Sequence, residues 1–220
     1  MMILRLSEKK WRARAVNTAL KKLFPKAKIA LHFSNPWELL VAVQLSAQCT
    51  DKKVNEITPM LFKKYRKLGD YVTANRAEFE KDIRPSGFYR NKTKNILAAA
   101  KIIQEQFRGK LPKTMEEMVT IPGVGRKSAN VILGNAYGVV EGIAVDTHVI
   151  RLANALGLTT HRNDPIKIER DLMAILPKEE WFSFTYRLIN YGRQHCPARK
   201  HRAADCPLKK FYKPDYVYHA

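Results

Sequence analysis

"IPGVGRKSAN", residues 121–130, is the stretch on which the reading of this chain turns. A Pro and two Gly stand directly ahead of Arg126 and Lys127, and a helix-forming run follows at once. Upstream, "KTMEEMVT" (113–120) reads as a short helix, with Thr114 and Glu117 in capping-box spacing. Downstream, "RKSANVILGNAY" (126–137) reads as a second helix, and "IPGVG" joins the two. Gly123 and Gly125 permit backbone conformations closed to other residues. With no side chains there, a phosphate can reach the exposed N–H groups at the start of the second helix. The pattern is a helix–hairpin–helix, with Gly123, Val124, Gly125 and Arg126 as its contact residues. Such a grip positions a nucleic-acid backbone and reads no sequence.

Helix signals dominate the rest. "SNPWELLVAVQLSAQ" offers Asn35 as N-cap, Pro36 at the first helical position and Glu38 at the third. "NRAEFEKDI" (75–83) repeats the cap logic with Asn75 and Glu78, and "NDPIKIERDLMAIL" with Asp164 and Pro165. "NILAAAKIIQEQF" (95–107) is helical throughout. Alternating strand runs with Asn-Gly turns are absent. The reading is all-α, nine or ten helices on short connections, with Pro59 expected to kink or split the segment 51–65.

Composition supplies the partner. Among 220 residues, 40 Lys and Arg face 20 Asp and Glu, a net charge of +20. The excess is spread along the chain, in "KKWRAR", "KKLFPKAK", "KKYRK", "YRNKTK" and "PARKHR", rather than held in one tail. That points to a polyanion, most often nucleic acid. No run approaches the length of a membrane span. The start, "MMILRLSEKKWRARAV", has no secretory apolar core, so a cytoplasmic protein, held at the nucleoid through DNA, is expected. Three Cys (49, 196, 206) in a chain of this kind do not make a disulfide framework.

A second motif follows in "GIAVDTHVIRLANALGL", 142–158. Asp146 sits where an N-cap belongs, and Val149, Leu152, Ala153 and Leu156 give the buried stripe of the next helix. Taken with "LSAQCTDKKVN" (45–55) and "GFYRNKTKNI" (87–96), these motifs resemble endonuclease III, a family of helix–hairpin–helix DNA glycosylases, over about residues 10–210. The resemblance implies two helical lobes with double-stranded DNA in the cleft between them. Residues 30–138 would form a helical-barrel lobe carrying the hairpin, and 1–29 with 139–220 a second lobe, the one that normally bears a cluster. It also implies a reaction: a damaged base is flipped out, a lysine amine attacks C1′, and β-elimination cuts the strand 3′ to the lesion. The substrates implied are oxidised pyrimidines and abasic sites, and the protein is expected to act as a monomer.

By match, Lys127 is the nucleophile and Asp146 the catalytic carboxylate. A free lysine amine titrates near ~10.4. Partial burial, Arg126 beside it and the helix dipole would each release it, and Asp146 would oppose them. Gln48 corresponds to the side chain that fills the gap left by the flipped nucleotide, and Phe88 to an apolar wedge in the opposite strand. Read without the resemblance, Phe88 is equally a core aromatic. Arg90, Lys92 and Lys94 follow as phosphate contacts, His148 as a neighbour of the site, and Arg199 and Lys200 as DNA contacts in the loop "PARKHR".

The family usually closes with four cysteines on a [4Fe–4S] cluster. Here Cys196 and Cys206 fill two of those positions, while Ala203 and Tyr212 stand at the others. Alanine offers no donor and tyrosine is a poor substitute, so no cluster and no other cofactor is expected. His195, Cys196, His201 and Cys206 are four possible zinc ligands, in a spacing of no usual zinc module. Packing by Leu208, Phe211, Tyr212, Tyr216, Val217 and Tyr218 is the expected replacement. Three rival readings remain: an adenine-excising relative, a lyase that excises nothing, and a non-enzymatic helix–hairpin–helix binder. The first usually carries a Glu ahead of the Gln motif, where "LVAVQL" (40–45) has none, and an extra domain for which 220 residues leave no room.

Overall fold

A computed structural model describes residues 5–199 and 206–213. Among them are eleven α-helices and short 3-10 turns, and no β-strand. That is one or two more than expected, and α4 (Leu68–Val72) is too short for a period to be read. The chain divides into two compact units, Ala30–Glu141, and Met1–Ile29 together with Gly142–Ala220. Residues just past 138 stay with the first unit because a C-cap ties them there. Gly138 is left-handed (φ 67°), and the Val139 N–H donates back to Leu133 O at 3.2 Å.

The Ala30–Glu141 unit is built on α2 (Pro36–Leu45), which is buried almost all round, as a central helix must be. Its entry follows the sequence: Asn35 Oδ1 accepts from the Glu38 N–H at 2.9 Å, and the Glu38 carboxylate accepts from Ser34 N–H at 2.6 Å. Around it lie α3 (Asp51–Lys64), α5 (Arg76–Ile83), α6 (Tyr89–Gln106), α7 (Met115–Met118) and α8 (Arg126–Tyr137). Of the kink or split expected at Pro59, the split does not occur: α3 runs unbroken through it. Its buried face of Val54, Ile57, Thr58 and Leu61 carries it past the missing donor. Tyr65, Tyr71 and Phe79 stack edge-on or tilted with Trp37, which packs on Tyr71 at 5.0 Å.

The other unit joins α1 (Leu6–Leu23) to α9 (Thr147–Ala155), α10 (Pro165–Ile175) and α11 (Trp181–Gln194). Val149, Leu152, Ala153 and Leu156 are all fully buried, as their spacing predicts. Glu180, ahead of α11, anchors α1. Its carboxylate accepts from Lys21 Nζ and, at 2.6 Å, from Arg187 Nη1, which also donates to Asn17 Oδ1 at 3.0 Å. Burial alone would raise the Glu180 carboxyl, but its hydrogen bonds with Lys21, Arg187 and Asn17 hold it down at about 2.

Candidate nucleic-acid interface and active site

The hairpin between α7 and α8 is fixed from two sides. Inside it, the Val124 N–H donates to Ile121 O at 3.0 Å. From α2, Gln44 Nε2 donates to Pro122 O at 2.7 Å. Gly123 is left-handed (φ 78°), and a Cβ there would lie 2.9 Å from Asn95 Cβ and 3.1 Å from Gln44 Cδ. Glycine is therefore required twice at this position, by torsion and by space. Gly125 differs from the sequence expectation. Its φ of −91° and ψ of 173° are extended backbone that any residue adopts, and no described atom lies within 4 Å of where its Cβ would stand. Nothing in the fold asks for glycine there, and the open space is the approach to the first turn of α8, whose N–H groups have no intrahelical partner. Val124 also departs from its expected role. Its side chain is buried and its N–H is spent inside the turn.

Arg126 and Lys127 occupy the first turn of α8, both exposed. The partial burial expected of Lys127 is not found. Beside it, Ser128 lines a hollow of about 180 Å3 whose wall also includes Gln44, Gln48, Phe88, Asn91 and Lys92. Gln48 and Phe88 are exposed, so Phe88 is no core aromatic. Both have left-handed backbones, φ 52° and 47°. Few side chains adopt that conformation without help from their surroundings. Arg90 and Lys94 are exposed on α6, and the Arg90 guanidinium lies 5.7 Å from the Tyr89 ring centre. Lys92 corrects the sequence reading. It is 5% exposed, and its ammonium donates to Leu45 O and Ser86 O at 2.8 Å each, so it is not available to a phosphate. Burial pushes its amine below the usual lysine range. Residues two apart do not share a helix face, and α6 turns Lys92 inward while Lys94 stays exposed.

Gln44 and Asn95 were missed. Gln44 is a lone amide inside the apolar run "LLVAVQL", and that misfit was the available signal. Its Nε2 holds the hairpin while its buried Oε1 has no hydrogen-bond partner among the described residues.

In the other unit, Asp146 caps α9: its Oδ1 accepts from the Val149 N–H at 2.8 Å. His148, the second residue of α9, is half-buried beside α11, where a Cβ on Gly192 would stand 2.7 Å from His148 Nδ1. Arg199 is exposed, and Lys200 lies outside the described residues.

The tail tests whether this chain can hold an iron–sulfur cluster. Cys196 and Cys206 are buried in the core of the unit and in no disulfide, with Leu208, Phe211 and Tyr212 packed among them. The Tyr212 hydroxyl is hydrogen-bonded to that of Tyr191 at 2.7 Å, and Tyr191 also accepts from Leu208 N–H at 3.3 Å. Burial, then the neighbouring Cys196, pushes the Cys206 thiol up. Two thiols and a committed phenol do not fit a cluster held by four thiolates. The His195 ring packs between Phe24 and Tyr191, and no metal-binding group of three is found among the described residues. Ala203, His201, Tyr216, Val217 and Tyr218 lie outside them.

A helical fold with a glycine-pinned hairpin and a lysine in the next first turn narrows the class, and comparison supplies it: residues 41–178 match the HhH-GPD superfamily of base excision DNA repair proteins. Endonuclease III of Synechocystis sp. is 46% identical over 207 residues, 94% of each chain. Endonuclease III of Bacillus subtilis is 47% identical over 186 residues, 84% of each. A trapped endonuclease III–DNA covalent intermediate, an estranged-adenine complex, matches with a TM-score of 0.89 at 43% identity, covering 93% of this chain and 95% of that one. The chain belongs to the endonuclease III family.

Proposed function

We propose that this protein is a bifunctional DNA glycosylase and abasic-site lyase that removes oxidised pyrimidines from duplex DNA. It acts as a monomer in the cytoplasm; among the described residues, no helix is long and apolar enough to cross a membrane. Lys127 carries the reading: an exposed amine in the first turn of α8, directly behind the pinned hairpin, on a chain that matches endonuclease III along nearly its whole length. The neutral Lys127 amine attacks C1′ of the flipped nucleotide, the base leaves and is protonated, and the sugar ring opens to a protonated Schiff base; that iminium acidifies C2′, whose proton passes to a base as the 3′ phosphate is eliminated. Asp146, held as an N-cap carboxylate, stabilises positive charge developing on the sugar and assists the proton transfers. The hairpin, Arg126, Arg90 and Arg199 hold phosphates, Gln48 fills the gap the flipped nucleotide leaves, and Phe88 wedges into the opposite strand. That a relative has been trapped covalently on DNA supports the lysine chemistry. The tail works by packing, without a cluster.

The test is borohydride trapping on duplexes carrying thymine glycol or an abasic site. A covalent complex on both, absent in Lys127→Ala, is expected. Trapping on the abasic duplex alone would reduce the protein to a lyase. Binding without trapping on either would remove Lys127 from the mechanism.

A further inference from the structure

Two exposed side chains beside the hollow, Gln48 and Phe88, stand on left-handed backbones at the ends of two different loops. The first loop leaves α2 at Leu45; the second leaves the 3-10 turn Arg84–Ser86. Leu45 O and Ser86 O are acceptors at helix ends, which helical bonding leaves without donors. One residue serves both. Lys92 Nζ donates to each at 2.8 Å, and the Lys92 backbone N–H donates to Phe88 O at 3.1 Å. The ammonium also sits at the C-terminal end of α2, where the helix dipole favours a cation. A core that needed only filling would carry Met or Leu here, since a buried charge is expensive to keep. Among the described residues, this amine's hydrogen-bond acceptors are two carbonyls and no carboxylate.

We propose that Lys92 is a positioning residue: by tying the carbonyls of Leu45 and Ser86 to one ammonium, it sets the separation of Gln48 and Phe88 and so aligns the two side chains that enter the duplex. This rests on the proposed function. The Lys92 ammonium is spent on these two carbonyls, so Lys92 acts through the loops it ties. A misplacement of about 1 Å in such a group slows chemistry on the order of a hundredfold.

The test is a mutant cycle on the full chain, reading single-turnover excision of thymine glycol from duplex DNA. Lys92→Met is expected to slow excision about ten- to a hundredfold. In a Gln48→Ala/Phe88→Ala background the same change is expected to alter the rate less than about twofold, because the residues it aligns are gone. Equal slowing in both backgrounds, or none in the first, would overturn the proposal. Lys92→Arg, which keeps charge and donors on a different head group, runs the same cycle if Lys92→Met does not fold. Loss of folding in both variants would make the lysine purely structural and overturn it as well. Affinity for a duplex holding a tetrahydrofuran abasic analogue gives the cycle without catalysis. Failure of the unmodified protein to excise would therefore strike the proposed function while leaving this test standing.

Discussion

At residues 121–125 a loop is held by its own backbone. One glycine turns left-handed, one N–H closes the turn, and Gln44 pins a carbonyl from outside. At residues 196–199 and 206–213 the chain is held by side chains from far away in sequence. Arg12 Nη1 donates to Phe211 O at 2.6 Å, Arg151 Nη2 to Cys196 O at 2.6 Å, and Tyr191 binds the Tyr212 hydroxyl. The first kind of hold leaves a mark in the sequence, because few residue types satisfy its torsions. The second leaves almost none, because any of many donors would do. The contrast teaches where a fold can be damaged locally and where it gives way by degrees.

Gly123→Ala should do the largest damage to stability, about 2–4 kcal/mol, from the left-handed torsion and the overlap with Asn95. A urea midpoint equal to the unmodified protein's would show that the hairpin is not pinned as described. Glu180→Gln comes next, at about 2–3 kcal/mol near neutral pH, because Lys21 and Arg187 lose their counter-charge. The carboxyl sits at about 2 in the folded state against the ordinary 4.5, so the unfolded chain takes up its proton first on acidification. Its contribution is complete above about pH 4.5 and is lost as pH falls towards about 2. The variant should therefore show a shallower acid-unfolding curve in that window, and an unchanged curve would count against the ion pair. Tyr212→Phe should take about 1 kcal/mol by removing one hydroxyl of a buried pair, read by thermal melting. Gly125→Ala should change stability by less than about 0.5 kcal/mol, since backbone and space both accept it. Affinity for duplex DNA should nevertheless fall about tenfold, because the added methyl stands in the phosphate's path. A fold-neutral variant with full affinity would take Gly125 out of the interface.

The same division explains what was legible beforehand. Asn35, Thr114, Asp146 and Asp164 cap the helices they were read to cap, because a cap is a local exchange between a side chain and an N–H three residues on. The buried stripe of α9 follows from its period. Lys92 was read outward because charge alone says surface, and only tertiary contact reveals two carbonyls waiting for it. Gln44 was passed over because its partner, Pro122 O, is a backbone atom with no sequence signature. Pro59 does not split α3, since the apolar face of that helix outweighs one lost donor.

The unit formed by Met1–Ile29 and Gly142–Ala220 is interrupted by the whole of Ala30–Glu141. The carboxylate that Lys21 meets is on Glu180, made long after α1 has left the ribosome. Synthesis at about 5–20 residues per second separates the two by many seconds. The intervening unit, contiguous in the chain, has all its parts in hand first. During that delay α1 presents Val16 and Leu20, later fully buried, to solvent. The helix that begins its unit is thus an orphan during translation. Its Lys and Arg, four of which precede Val16 between residues 9 and 14, keep it soluble until its partners are made.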